Sequence, residues 1–233
     1  MDDLVITNIV RFLDQSTLIT CCSVNAQFQR CAQSLIKVKC DNLMLVCQQG
    51  NRDLATWLIE QDVEGLEWGL MGACEGGHRQ LAEQLMKLVT TSMWHLGLFG
   101  ACKKGNRELV ELLIELGDFD AEELNYGLSG ACRGGHRELI QWMIDLGAND
   151  WNMGLYQACY KGYQDICEWM IRLGANDLSG ALKMAYNGDQ LKFAKWLIQF
   201  KLYDLYEKPK EITIKDKKFS QWITQLRADF GCN

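Results

Sequence analysis

One residue pattern recurs along this chain at a nearly constant interval, and an interval of that size restricts the fold to stacked supersecondary units. Cys47, Cys74, Cys102, Cys132 and Cys159 are separated by 27, 28, 30 and 27 residues, and Tyr186 continues the series 27 residues on. The same spacings recur at Leu54, Leu81, Leu109, Leu139, Ile166 and Phe193. They recur again at the apolar pairs ending in Ile59, Met86, Ile114, Ile144, Ile171 and Ile198. Independent positions that share one period predict a solenoid in which each unit buries its apolar face against the next.

Each unit reads as two short helices. The first runs from a leucine (Leu70, Leu98, Leu128, Leu155, Leu182) to an Ala-Cys pair or its counterpart, small residues that let a neighbouring helix come close. A glycine follows at Gly50, Gly77, Gly105, Gly135 and Gly162, suited to the left-handed turn that ends a helix. Asn51, His78, Asn106 and His136 come next, at a capping position, and Arg-Glu-Leu or a close variant then opens the second helix. Leu109, Leu112, Leu113 and Leu116 keep helical spacing, and Gly117, Gly147 and Gly174 close three second helices. One proline against 21 glycines fits an all-α chain, since hairpin-rich folds use more proline in their turns.

The repeating Leu-x-x-Ala-Cys-x-x-Gly-His-Arg-Glu-Leu resembles the ankyrin repeat, over six units from about Asp41 to Phe200. The period is shorter than that family's usual 33 residues. The family's Thr-Pro-Leu-His is replaced by segments such as Trp68-Gly69-Leu70-Met71, and the hairpin fingers are clipped to turns. The style of repeat also resembles arrays carried by large DNA viruses, which would make this a viral protein acting on its host.

The ends carry other patterns. Ile9 to Asp14, Thr17-Leu18, Cys21, Val24-Asn25 and Phe28 form three short helical segments within residues 1–40. Their spacing resembles an F-box, the module that docks onto Skp1 in cullin-based ubiquitin ligases. The resemblance implies adaptor binding by Val5, Ile9, Phe12, Leu13, Leu18, Val24 and Phe28. The family's Leu-Pro opening falls on Met1-Asp2, so weak Skp1 binding is expected. The alternative is an N-terminal cap for the solenoid, which would leave a scaffold or competitor with no ligase link. Residues 201–233 carry seven Lys or Arg against five Asp or Glu, with an amphipathic stripe at Phe219, Trp222, Ile223, Leu226 and Phe230. They read as a C-terminal capping segment.

The remaining chemistry is sparse. A net charge of −6 disfavours nucleic acid, and no apolar run is long enough for a membrane span. Eleven cysteines without a Cys-x-x-Cys predict reduced thiols in the cytoplasm or nucleus. Cys74 with His78 and Cys132 with His136 have a ligand-like spacing, but Asn51, Asn106 and Tyr163 fill the histidine position elsewhere. No catalytic group, metal or cofactor is therefore expected. A thiol enzyme would need a cysteine unlike its copies, for which only Cys167 and Cys232 qualify. The chain is expected to be a monomeric protein-binding adaptor. Its target site would lie on a concave face built by Gln48, Gln49, Glu75, Lys103, Lys104, Arg133, Tyr160 and Lys161, positions that vary between repeats and so read as free of packing duty. The arginines Arg52, Arg79, Arg107 and Arg137, which precede Asp53, Gln80, Glu108 and Glu138, could grip an acidic partner but are expected to pair locally on a solvent face.

Overall fold

A computed structural model describes residues 40–60, 65–190, 192–197 and 221. The F-box-like residues Val5, Ile9, Phe12, Leu13, Leu18, Val24 and Phe28, and all of the 201–233 segment except Gln221, lie outside them. Among the described residues there is no strand, and the fold is the all-α repeat of helix pairs expected from the period. The helices belong to two compact units, Met1–Ala148 and Asn149–Asn233.

In the first unit the pairs are α1 (Cys40–Gln48) with α2 (Arg52–Glu60), α3 (Leu66–Gly76) with α4 (Arg79–Met86), α5 (Trp94–Lys104) with α6 (Arg107–Leu116), and α7 (Ala121–Gly134) with α8 (Arg137–Leu146). The first helices stack on one another, α1 on α3, α3 on α5 and α5 on α7, and each also packs against its own second helix. In the second unit α9 (Trp151–Lys161) packs against both α10 (Gln164–Leu173) and α11 (Leu178–Asn187).

The stacking distance is set by a glycine that precedes the Ala-Cys pair. A methyl group on Gly72 would lie 2.1 Å from the Met44 carbonyl oxygen. On Gly100 it would lie 2.4 Å from that of Met71, and on Gly130, 2.3 Å from that of Phe99. Backbone therefore meets backbone at each of these steps. Ala73, Ala101 and Ala131 with Cys74, Cys102 and Cys132 are fully buried, as the sequence predicts, but the closest approach belongs to the glycines in front of them.

The turns between the two helices of a pair behave as expected in their backbone. Gly77, Gly105 and Gly135 have φ of +81°, +80° and +81°, and the N–H of Gly105 and Gly135 caps the carbonyls of Ala101 and Ala131. The connections between repeats are short. Gly-x-x-Asp recurs at 117–120, 147–150 and 174–177. Its glycine closes the preceding helix, while the carboxylate of Asp120, Asp150 or Asp177 accepts the N–H of Glu123, Met153 or Gly180 at 2.8 to 2.9 Å and starts the next. Glu123 reaches back to the Asp120 N–H at 3.2 Å, completing a capping box. A four-residue connector of this kind leaves no length for a hairpin finger.

Burial fixes the state of the cysteines. The thiols of Cys47, Cys74 and Cys132 are pushed up from 9.0 to about 12, and that of Cys102 is also raised, in each case chiefly by burial. On unfolding these thiols return to the ordinary range, so the unfolded chain loses protons first as pH rises. Their contribution to stability is fully present below pH 9.0 and is lost progressively toward about pH 12. We expect the folded protein to resist a thiol alkylating reagent near pH 8, and to react fully at these positions once denatured. Mass spectrometry of the alkylated peptides checks this, and rapid native labelling of Cys74 or Cys102 would contradict it.

Candidate protein-binding face

The residue one place after each cysteine was expected to be free of packing duty, and the first unit shows otherwise. Glu75 Oε1 accepts from Gln48 Nε2 at 2.9 Å and from Lys103 Nζ at 2.5 Å, which ties three successive first helices together. The Glu75 and Lys103 side chains are only 13% and 24% exposed, so this pair is shielded as surface ion pairs are not. Lys103 thus spends its charge within the protein. Arg133 holds the next matched position on α7 and is half-buried. Gln49 and Lys104, one residue further along their helices, are exposed. In the second unit Lys161 is exposed, and its ammonium stands 5.9 Å from the centre of the Tyr160 ring.

Below this polar rim the same side of the first helices is apolar, which the sequence reading did not single out. Positions three and seven residues apart share a helix side, and these are Trp68, Met71 and Glu75 on α3, and Leu96, Phe99 and Lys103 on α5. Trp68 is 42% exposed, and Met71, Leu96, Phe99 and, on α7, Tyr126 are half-buried. The Tyr126 ring lies 4.3 Å, centre to centre, from His95 on α5, whose Nδ1–H donates to the Ser92 carbonyl at 2.8 Å. The glycine pattern explains why these side chains reach solvent. Gly72 and Gly100 press on the preceding helix, which turns Met71 and Phe99, their neighbours in sequence, away from it.

The histidines hold repeats together and do not cap helices. Asn51 and Asn106 do cap, each accepting a backbone N–H three residues on at 3.2 Å. His78 Nε2–H donates instead to the Gln48 carbonyl at 3.0 Å, and His136 Nε2–H to that of Lys103 at 3.2 Å. The expectation of one shared capping role is corrected by this geometry. Each ring needs two glycines. A methyl on Gly50 or Gly105 of the preceding repeat would lie 2.4 or 2.5 Å from the ring, and one on Gly76 or Gly134 of its own repeat would meet both ring and carbonyl. The signal was present in the sequence: Gly76 and Gly134 precede histidine, whereas the asparagine repeats have Gln49 and Lys104 there.

Two of the arginines pair locally on a solvent face, as expected. Arg79 pairs with Glu83 at 2.8 Å and Arg107 with Glu111 at 2.9 Å, one helical turn on, not with the following residue. Side chains at i and i+1 diverge on a helix, whereas those at i and i+4 meet. Arg52 reaches across to Gln80 Oε1 at 2.7 Å, and Arg107 stands 5.6 Å from the Trp142 ring centre.

Among the described residues no group of three or more His, Cys, Asp or Glu is placed to hold a metal ion. Cys167 is buried, with its Sγ 3.5 Å from that of Cys159. In the same unit Asn152 Oδ1 accepts the N–H of both Asn176 and Asp177 at 2.9 Å, and Asp177 accepts from the Tyr156 hydroxyl. Burial, and then this carboxylate, push the Tyr156 phenol up. No described helix is long and apolar enough to cross a membrane.

Residues 98–179 match ankyrin repeats, three copies, from Leu98 in α5 to Ser179 in α11. This stretch is therefore a protein–protein interaction module by class. No curated protein and no solved structure matches the chain.

Proposed function

We propose that the chain is a target-recruiting adaptor of a Skp1- and cullin-type ubiquitin ligase, in which residues 1–40 hold Skp1 and the concave face built by the first helices selects a protein target. The observation that carries the target-binding half is the apolar surface of Trp68, Met71, Leu96 and Phe99, which repeat packing leaves partly exposed inside and beside the ankyrin-repeat stretch. The ligase half is supported by the F-box-like spacing from Ile9 to Phe28 and by the apolar excess of that segment. On this reading the protein works in a reducing compartment of a host cell as a monomer, binds no nucleic acid or membrane, and catalyses nothing itself.

Within the target site of the first unit, Gln48, Glu75 and Lys103 form a fixed polar rim, and the exposed Gln49 and Lys104 are its adjustable contacts, with Arg133 at the matched position on α7; Tyr160 and Lys161 on α9 are the corresponding target contacts of the second unit. Lys104→Glu is accordingly the clean test of charge, since Lys103→Glu would set a second carboxylate against Glu75 and cost stability. The ligase half is tested by mixing the full chain with purified Skp1 in calorimetry, and by probing a pulldown from eukaryotic cell extract for Skp1 and cullin. Weak but saturable binding that is lost in Ile9→Glu/Leu13→Glu is expected. No heat at high micromolar concentration would return residues 1–40 to the role of a cap and the protein to a scaffold.

A further inference from the structure

At the opposite end of the first unit's helices, one repeat position carries a leucine that the core does not use. Leu88, Leu116 and Leu146 each lie seven residues after the ruler leucines Leu81, Leu109 and Leu139. They are 53%, 59% and 39% exposed. Isolated exposed leucines are ordinary, but here one sequence position is exposed in three successive repeats, as the last residue of α6 and of α8 and two residues beyond the end of α4. Leu173 is the equivalent in the second unit.

We infer that this edge of the first unit docks a basic amphipathic helix of a partner protein, with apolar residues recurring every seventh position. The spacing carries part of the inference. Helices in adjacent repeats pack about 8–10 Å apart, and seven residues of α-helix rise about 10.5 Å, so a helix laid along the edge would meet one leucine per heptad. The charge of the edge carries the rest. Around the leucine end of α6, from Glu115 to Glu123, the chain holds five Asp or Glu and no Lys or Arg, and around the leucine end of α8, from Gln141 to Asp150, it again holds no Lys or Arg. Leu116 sits between Glu115 and Asp118, and Leu146 follows Asp145, all three acids exposed. Lys87, beside Leu88, is the cation next to the row. A second copy docking through this same edge would bring the same acids and be repelled, whereas lysines or arginines flanking the partner's apolar stripe would be attracted. At Leu116 and Leu146 the four-residue connectors that follow replace the hairpin fingers of a standard repeat. Docking at this edge does not depend on the ligase reading.

The test uses the full chain and a labelled model peptide of about three heptads, with leucine at every seventh position between lysines. A peptide of the same composition in scrambled order is the control. The heptad peptide is expected to bind saturably by fluorescence anisotropy and to weaken with added salt. Binding should fall at least about tenfold in Leu116→Glu/Leu146→Glu, whose circular dichroism should match the parent because both side chains are exposed. Equal binding of the scrambled peptide, undiminished binding to the double variant, or no binding at all overturns the proposal. Binding that appears only after Phe219→Glu/Trp222→Glu does so too, since the chain's own C-terminal stripe would then be the occupant.

Discussion

Replacing Ala131 by Asp is expected to unfold the helices around α7. Ala131 is fully buried, and its carbonyl accepts the N–H of both Gly135 at 2.9 Å and His136 at 3.0 Å, so the residue sits where a helix stack and a turn are tied together. The neighbouring Gly130 holds α7 against the backbone of α5, which leaves no path by which a longer side chain could swing to solvent. A carboxylate there would be a buried, unpaired charge, and losses above about 4 kcal/mol arise from this mechanism. The sign of its pH dependence follows from desolvation. Burial raises the carboxyl pKa above its unfolded value of about 3.9, so the variant is least unstable at low pH and worsens as pH rises above that value. Urea titration at pH 5 and pH 7 measures both effects. A variant that retains the parent's midpoint would show that the α5–α7 contact is looser than backbone against backbone.

Gly130→Ala comes second, and its sign opposes helix propensity. Alanine in place of glycine inside a helix favours the helix by about 1 kcal/mol, so a reading of α7 alone predicts a gain. The added methyl would stand 2.3 Å from the Phe99 carbonyl oxygen, 3.0 Å from its carbon and 3.1 Å from its Cα. These are backbone atoms that move only if the two helices separate. We expect a net loss of about 1–3 kcal/mol, which at this chain length lowers the melting temperature by roughly 2–4 °C per kcal/mol. Gly147→Ala is the contrasting variant. Its methyl would meet nothing within 4 Å, so any loss there measures the strain of φ +115° alone. Equal losses at the two sites would mean that contact with α5 is not what requires glycine at 130.

The sequence by itself determined the repeat and its anatomy. A constant interval between small residues, a glycine turn and an apolar second helix can be satisfied only by stacked helix pairs, and each of those signals is local. The buried Ala-Cys pairs, the left-handed Gly77, Gly105 and Gly135 and the short connectors were all legible for that reason. Tertiary structure alone decided which glycine sets the stacking distance and which histidine bonds across repeats. Both depend on a carbonyl in the preceding unit, that of Phe99 for Gly130 and that of Lys103 for His136, and residues 30 or so apart in sequence show no proximity until the units are stacked. The same holds for the candidate site. Variation at 48, 75, 103 and 133 looked like freedom from packing, but stacking brings Gln48, Glu75 and Lys103 within hydrogen-bond reach, so side chains that differ do so as donors and acceptors for one another. The apolar face at Trp68, Met71, Leu96 and Phe99 was invisible for a complementary reason. Apolar residues at helical spacing read as core until the backbone contacts of Gly72 and Gly100 turn that side of each helix away from its neighbour.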